Sequence, residues 1–377
     1  MNLLIAPNSF KGCADSVRAA NLISQILEKT PNSFDYIELC PISDGGDGFL
    51  EVLKHNLDIL EEIHFTVPSY FSDERREVEV VYHRENNIIF IESAKVFGLA
   101  LNLTKDRNPL YYNTVSFGEL LREIFDSDLI DHTNVLKIMA GFGGSGTNDL
   151  GIGAASVFGL KLFDEAGNEL LPLPVNYSKV KSIAPPTRLK GIDIEVIFDV
   201  NIPLLGKNGP SLEYSRQKGA SMEQALLMEE GNRNIIRIVS ELTGVTELEK
   251  MNGAAGGTAL GLSFLSDIKF TSSRKFLADF LNIRQKIKFS DIIITGEGKF
   301  DRQSFMEKGT GIIHDLCREM NKRLFILCGE TDDVGLTDFK AEIIKIRKNG
   351  ETVRSAIENF PCRMESAIQE IIYKLNN

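Results

Sequence analysis

The chain has 377 residues, of which 43% are hydrophobic and 25% are charged, so it is long enough for about two folded domains and too hydrophobic for a disordered protein. Its 53 acidic and 42 basic residues give a net charge of −11, which argues against nucleic acid or anionic lipid as a partner. The five cysteines are odd in number and show no C-x-x-C spacing, which argues against a disulfide framework or a zinc ribbon.

The N-terminal part of the chain alternates strands with helices. Residues 3–6 are apolar and predict a buried strand, and a helix with one apolar face begins after Asp15. A second strand over Tyr36–Leu39 runs into a glycine-rich loop and then into a helix from about Phe49. Strand, loop and helix in this order are typical of a parallel sheet covered by helices.

The first residues contain no basic region and no long apolar run. They predict neither a signal peptide nor a membrane span, so we expect a cytoplasmic protein. Together with the acidic charge, this favours a small-molecule substrate over nucleic acid or a membrane as the partner.

The middle of the chain follows a different pattern. Apolar and polar residues alternate between about Ile59 and Phe90 with a polar turn at 84–87, which predicts an antiparallel hairpin. Near Asp291 the first pattern returns, with apolar strands at 292–294, 325–327 and 343–344. We therefore predict a parallel α/β domain built from residues 1–60 and 286–377, with a mixed α/β domain, residues 61–285, inserted into it.

Charged side chains follow the predicted strands of the terminal domain. Ser9 and Lys11 follow the first strand, Asp44 follows the second, and Glu297 and Asp301 follow the strand at 292–294. In an open parallel sheet, ligands bind beyond the carboxyl ends of the strands. Phosphoryl transfer needs a cation for the transferred charge and carboxylates for magnesium. We therefore predict Lys11 as a catalytic cation and the three carboxylates as metal ligands.

A glycine-rich loop follows the predicted strand at 135–139 in the inserted domain. Glycines let a backbone approach a ligand closely, and the N-terminus of a following helix favours an anion. The loop therefore predicts a phosphate-binding segment that includes Gly143, Gly144, Ser145 and Thr147.

The same loop also fits the G-x-G-x-x-G pattern of dinucleotide-binding domains, through Gly141, Gly143 and Gly146. A later strand ends at Asp164, where such a domain places its ribose-binding acid. An NAD(P)-dependent dehydrogenase acting on a small hydroxy acid is therefore an alternative to the kinase.

Two further segments of the inserted domain carry candidate site residues. Asp199 follows the strand at 194–198 and is a candidate base for the acceptor proton, while Lys218 is a candidate phosphate ligand. The segment at 253–257 contains Gly256 and Gly257, and it is compatible with either a backbone contact to a phosphate or tight helix packing.

These segments, taken in order, resemble the type I glycerate kinases (glycerate 2-kinases). Departures from the family pattern occur at Ile202, Glu307 and Thr310. The matching pieces are APNSFKG at 6–12, PISDGGDG at 41–48, RNPL at 107–110, GGSGTND at 143–149, QKGA at 217–220, GAAGG at 253–257 and ITGEGK at 294–299.

The resemblance implies an ATP- and Mg²⁺-dependent kinase that phosphorylates D-glycerate to 2-phosphoglycerate. It implies a flavodoxin-like domain from the two chain ends, and an active site in the cleft between it and the inserted domain. Matching positions make Ser9 and Arg107 candidate substrate ligands. A non-catalytic sugar-acid-binding paralogue is the third possibility, beside the kinase and the dehydrogenase.

Overall fold

A computed structural model of the protein describes residues 1–29, 34–128, 130–131, 133–198, 202–248, 251–301, 304, 308–331, 340–348 and 350–376. The chain forms two compact units. The terminal unit consists of Met1–Asp44, Gly48–Asp58 and Ser272–Asn377, and the inserted unit consists of Gly45–Asp47 and Ile59–Thr271.

In the described residues the strands are β1 (Asn2–Ile5), β2 (Tyr36–Leu39), β3 (Glu61–Pro68), β4 (Arg75–His83), β5 (Ile88–Glu92), β6 (Leu136–Gly141), β7 (Lys161–Phe163), β8 (Glu169–Leu170), β9 (Ser182–Ala184), β10 (Ile192–Phe198), β11 (Ile268–Ser272), β12 (Ile292–Phe300), β13 (Arg323–Thr331) and β14 (Ala341–Lys345).

The helices of the same residues are α1 (Ser16–Lys29), α2 (Phe49–Asn56), α3 (Ser93–Phe97), α4 (Val115–Phe125), α5 (Ile152–Ser156), α6 (Met222–Thr243), α7 (Ala254–Ser263), α8 (Ser273–Lys275), α9 (Ile283–Phe289), α10 (Gly309–Glu319), α11 (Val353–Glu358) and α12 (Phe360–Asn376).

The terminal unit is built on a parallel sheet in the order β2-β1-β12-β13-β14. Numbered along the chain within this unit, the order is 2-1-3-4-5, which is the flavodoxin-like order. Helices α1 and α12 bury their apolar faces, including Ile23 and Ile368, in one cluster with Ile5 and Phe325 of the sheet. The predicted flavodoxin-like fold of the terminal domain is confirmed.

The inserted unit is built on a mixed sheet in the order β11-β10-β6-β5-β4-β3. Strands β3, β4 and β5 pair antiparallel, whereas β5, β6 and β10 pair parallel. A short turn at Arg84–Asn86 joins β4 to β5, and Asn87 then adopts a φ of 49°, so the predicted hairpin is present. The mixed α/β class predicted for this part of the chain is confirmed.

The C-terminal boundary of the inserted unit differs from the one expected from the sequence. We expected the inserted domain to end at residue 285, whereas the terminal unit resumes at Ser272. The reason is that the segment holding α8 and α9 packs within the terminal unit. Phe276 in this segment packs against Phe49 of α2, with tilted rings whose centroids are 5.4 Å apart.

No helix in the described part of the chain is long and apolar enough to cross a bilayer. The cytoplasmic location expected from the sequence stays a prediction.

Candidate active site

Three polar side chains meet at the carboxyl ends of β1, β2 and β12. Asn8 Nδ2 donates a hydrogen bond to Asp44 Oδ2 at 3.5 Å, and the charge of Asp44 raises the pKa of Glu297. Gly309, at the start of α10, has no room for a side chain here, because a Cβ would lie 3.1 Å from Asn8 Nδ2. The strand-end pattern thus correctly brought Asp44 and Glu297 into one neighbourhood.

The pKa of Glu297 departs strongly from its usual value. Its Oε1 atom is buried and accepts no hydrogen bond from a described residue. Burial is the main reason that its pKa rises to about 7; Asp44 adds to the effect, whereas Ser304, Lys308 and Thr310 oppose it. A cation beside Asp44 and Glu297 would offset the repulsion between their charges. It would also bind the Glu297 oxygen that accepts no hydrogen bond.

Asp301 does not join these two carboxylates in a three-ligand site. Among the described residues, no group of three or more His, Cys, Asp or Glu side chains is arranged to hold a metal ion. Instead, Asp301 forms an ion pair with Lys299 at 2.9 Å. β12 continues beyond the expected strand at 292–294 and pairs with β13 as far as Phe300, so Asp301 follows a longer strand, and its role as a metal ligand stays a prediction.

Lys11 and Ser9 lie in the loop after β1. Lys11 is exposed and forms no ion pair or hydrogen bond with a described residue. Its backbone nitrogen is close to β12, because a Cβ on Gly298 would lie 3.4 Å from it. Ser9 is half-buried, and its backbone N–H donates to Asn8 Oδ1 at 2.8 Å. The backbone of Lys11 therefore lies close to Gly298, the residue after Glu297. The side chain of Lys11 makes no ion pair or hydrogen bond with a described residue.

Within the inserted unit, the glycine loop after β6 packs against a second glycine segment. A Cβ on Gly141 would lie 2.5 Å from the Gly45 carbonyl oxygen, and a Cβ on Gly143 would lie 2.5 Å from Gly46 Cα. Only glycine permits this approach of two backbones. Gly144 is exposed with a φ of 64°, so it also favours glycine.

Lys218 joins the predicted phosphate loop to a distant part of the inserted unit. Its side chain is buried, and Nζ donates hydrogen bonds to Ser145 Oγ at 3.0 Å and to the Thr147 carbonyl oxygen at 2.6 Å. Burial lowers the pKa of Lys218 to about 7, while the charge of Asp149 acts to raise it. A protonated lysine has a third N–H, which these two contacts leave for another acceptor.

Arg107 packs against Gly219, the residue that follows Lys218. The φ of Gly219 is +101°, and a Cβ there would lie 2.5 Å from Arg107 Cβ. Arg107 Nε is buried and has no hydrogen-bond partner in the described residues. Arg107 and Lys218 thus lie on neighbouring segments, and each has a donor without a partner in the described residues, which suits a phosphate or carboxylate ligand.

Gly256 and Gly257 pack tightly in the interior of the inserted unit. Both are buried, with φ values of 70° and 78°. A Cβ on Gly256 would lie 2.4 Å from the Thr147 carbonyl oxygen, and one on Gly257 would lie 2.7 Å from Leu150 Cδ2. The two glycines thus support the predicted phosphate loop by close packing, and a backbone contact to a phosphate stays a prediction.

Sequence reasoning missed Asp149, which is fully buried in the same loop. Its carboxylate accepts hydrogen bonds from Thr114 N and Oγ1, both at 2.8 Å, from Gly153 N at 3.0 Å and from Gly151 N at 3.3 Å. The available signal was an aspartate just before Gly151 and Gly153, since aspartate accepts bonds from the backbone at helix starts.

The loop geometry does not fit a dinucleotide-binding turn. In that motif the glycines lead directly from the strand into a helix. Here β6 ends at Gly141 and α5 begins at Ile152, and buried Asp149 occupies the intervening segment.

The remaining predicted site residue, Asp199, lies outside the described residues, so its role as a base stays a prediction.

Comparison with known proteins decides the family. The model of the glycerate kinase family matches residues 3–376. The chain belongs to the glycerate kinase family. It is therefore an enzyme of the kinase class, and the dehydrogenase alternative is wrong.

Individual relatives of the glycerate kinase family agree with this assignment. The chain is 30% identical over 311 residues to a glycerate kinase of Neisseria meningitidis serogroup B, covering 82% of this chain and 80% of that one. It is 28% identical over 343 residues to the glycerate 2-kinase of Escherichia coli K12, covering 89% and 87%. A crystal structure of a candidate glycerate kinase 2 from Salmonella typhimurium LT2 has the same fold, with a TM-score of 0.77, 24% identity and coverage of 100% and 98%.

Proposed function

We propose that the protein transfers the γ-phosphoryl group of ATP to the 2-hydroxyl of D-glycerate, with Mg²⁺, and releases 2-phosphoglycerate and ADP. The observation that carries this proposal is the buried ammonium of Lys218, held by Ser145 and Thr147 of the glycine loop. A buried cation with an unused N–H beside such a loop is suited to an anionic ligand, and a phosphate is one.

The inserted unit supplies the anion-binding residues. Gly143 and Gly144 are the more accessible members of the loop, Ser145 is nearly buried, and Lys218 lies behind it. We assign the ATP phosphates to this set. Arg107, with its unused Nε, would then bind either the same phosphates or the substrate carboxylate. Backbone and cationic donors fixed before binding stabilise charge on the transferring group without reorganisation.

Asp44 and Glu297 fit a magnesium ion. Mg²⁺ is usually bound by one or two carboxylates together with phosphate oxygens and water, so a third protein carboxylate is not required. The buried, unbonded Oε1 of Glu297 next to Asp44 is the feature that a divalent cation would satisfy. When bound there, the ion would neutralise charge on the phosphates.

The transfer itself requires the acceptor hydroxyl to reach phosphorus. An O–P bond forms from the glycerate oxygen, the bond from the γ-phosphorus to the ADP oxygen breaks, and the hydroxyl proton passes to a base. We assign the base role to Asp199, charge stabilisation to Lys11 and acceptor contact to Ser9, on the strand-end pattern and the family resemblance. That both sets of residues act on one substrate stays a prediction from the sequence.

ADP release tests the proposal directly. We expect release that requires both D-glycerate and Mg²⁺, and a phosphorus NMR signal of 2-phosphoglycerate in the product. A signal of 3-phosphoglycerate alone would contradict the regiochemistry, and tight glycerate binding without turnover would favour the non-catalytic paralogue.

A matched pair of variants tests the residues. Lys218→Met should lower kcat/KM for ATP by about 10²-fold or more, as expected for loss of an electrostatic stabiliser. Lys190→Met, at an exposed lysine outside both residue sets, is the control and should keep wild-type kinetics. Normal activity in a folded Lys218→Met protein would remove Lys218 from the site.

A further inference from the structure

We propose that Asp149 is a positioning residue for phosphoryl transfer: its buried carboxylate anchors the chain two residues after Thr147 and supplies a negative charge that balances the Lys218 ammonium for an anionic ligand. This inference rests on the proposed function, because it assigns Asp149 a role at the same site. Asp149 itself touches no substrate in this scheme.

The first support is the way in which Asp149 is fixed. Its carboxylate accepts four hydrogen bonds, two from Thr114 just before α4 and two from the backbone at the start of α5. Thr114 Oγ1 also accepts a bond from Ala154 N at 3.0 Å, so its own proton is free to point to the carboxylate. Every partner is a donor, and these bonds favour the ionised carboxylate, although burial has the larger effect and raises the pKa of Asp149.

The main chain of Asp149 is held as well. Tyr177 is fully buried and donates from its hydroxyl to the Asp149 carbonyl oxygen at 2.9 Å. The bonds to Thr114, to the start of α5 and to Tyr177 come from three separate parts of the inserted unit. Thr147, whose carbonyl oxygen binds Lys218, is only two residues from this anchor.

The second support is the charge balance around Lys218. Titratable groups on the neighbouring elements are Arg107 before α4, Tyr70 after β3, Tyr177 and Glu229 of α6. Glu229 is bonded to Gly206 N and pairs with Arg233, and both Tyr70 and Tyr177 have pKa values raised by burial. Arg107 is a like charge. Asp149 is therefore the anion that offsets the Lys218 ammonium, as its effect on the pKa of Lys218 shows.

The consequence for catalysis follows from where Lys218 titrates. With Asp149 ionised, burial already lowers the pKa of Lys218 to about 7. Without that negative charge, the lysine would lose its proton at neutral pH and could no longer offer a cation to a phosphate. An opposite charge nearby typically shifts a pKa by about one to three units.

A titration that needs no turnover tests this role. Lysine labelled with ¹³C at Cε would be followed by NMR in the intact protein without ligands, and Lys218→Arg would identify the Lys218 signal. We expect Asp149→Asn to move the Lys218 midpoint down by about one pH unit or more. Tyr177→Phe removes a neighbouring bond to the same loop but no charge, so it should leave the midpoint unchanged. An unmoved midpoint in folded Asp149→Asn would overturn the proposal.

Kinetics provide the second readout. In the wild type, kcat/KM for ATP should fall as pH rises above about 7, since this parameter reports the free enzyme. The falling limb should move to lower pH in Asp149→Asn and disappear in Lys218→Arg, whose guanidinium keeps its proton. A wild-type profile in Asp149→Asn would count against the inference. Absence of any glycerate phosphorylation by the wild type would instead count against the proposed function, while the NMR result would still stand.

A further variant covers the case in which Asp149→Asn does not fold. Removing one partner of a buried charge pair is more damaging than removing both. If the two charges are coupled, the double variant Asp149→Asn/Lys218→Met should fold where Asp149→Asn alone does not. If the double variant also fails to fold while Lys218→Met folds, Asp149 acts only on the backbone and the coupling to Lys218 is excluded.

Discussion

Lys218 Nζ donates a hydrogen bond to the Thr147 carbonyl oxygen at 2.6 Å across 71 residues of chain. A second bond to Ser145 Oγ also ties this buried ammonium to the glycine loop. If the loop binds phosphate as proposed, binding need not order a flexible lysine. Four consequences can be measured, beyond the experiments already described.

The burial of Lys218 predicts a specific pH dependence of stability. Its pKa falls from 10.5 to about 7 on folding, so between these values the unfolded chain holds a proton that the folded protein has lost. Raising the pH removes this advantage of the unfolded state. We expect the wild type to become more stable relative to Lys218→Met between pH 7 and 10, by at most ~1.4 kcal/mol per pH unit. Urea unfolding at several pH values measures this; parallel curves for the two proteins would contradict it.

The raised pKa of Glu297 predicts that the protein without metal loses stability as the pH rises. Its pKa rises from 4.5 to about 7, so the folded protein holds a proton between these values that the unfolded chain has lost, and stability falls as pH rises through this window. We expect Glu297→Gln to be at least as stable as the wild type at pH 8 without metal, because the buried charge is gone.

Magnesium should reverse that order. Mg²⁺ should raise the Tm of the wild type, since it binds only the folded protein, and should not raise that of Glu297→Gln or Asp44→Asn. Glu28→Gln, on the exposed side of α1, is the control and should respond like the wild type. An equal Mg²⁺ shift in all four proteins would place the metal elsewhere.

Gly256→Ala should be more destabilising than its backbone angle alone explains. Gly256 and Gly244 have similar φ values of 70° and 74°, but a Cβ on Gly256 would lie 2.4 Å from the Thr147 carbonyl oxygen, and one on Gly244 meets no atom within 4 Å. Both alanine variants place a Cβ on a left-handed backbone, which is strained. Only Gly256→Ala also overpacks the interior, which should cost about 1–3 kcal/mol of additional unfolding free energy. Free energies of unfolding in urea would show the difference. Equal losses would mean that the loop yields to the added methyl group.

Lys11→Met should reduce turnover without affecting folding. Lys11 is exposed and unpaired within the described residues, so its removal leaves no buried group unsatisfied and the Tm should not change. If it stabilises the transferred phosphoryl group, kcat should fall by about 10²-fold. Lys29→Met, also exposed, is the matched control. Unchanged kcat in Lys11→Met would make this lysine an ordinary surface residue.

Local patterns were sufficient for the framework of the protein. Alternating apolar strands and amphipathic helices at both chain ends predicted the parallel sheet, because each pattern depends on residues that are neighbours in sequence. The strand-end rule also brought Asp44 and Glu297 together, since parallel strands place their carboxyl ends on one edge. The glycine loop was recognisable from its run of glycines. The structure gives a physical reason for one of them, because a Cβ on Gly143 would collide with Gly46.

Only the tertiary structure decided the electrostatics of the site. The sequence made Lys218 a candidate phosphate ligand but did not predict its burial against Ser145, which depends on packing between segments that are 73 residues apart. Asp149 was not predicted, because its four donors come from Thr114 and from the start of α5, which are far apart in the sequence. Asp301 and Glu297 both follow the predicted strand at 292–294, but only the structure shows that β12 extends to Phe300 and that Asp301 pairs with Lys299. Burial and pairing set the charge of these groups, and both depend on contacts between distant parts of the chain, which residue spacing does not encode.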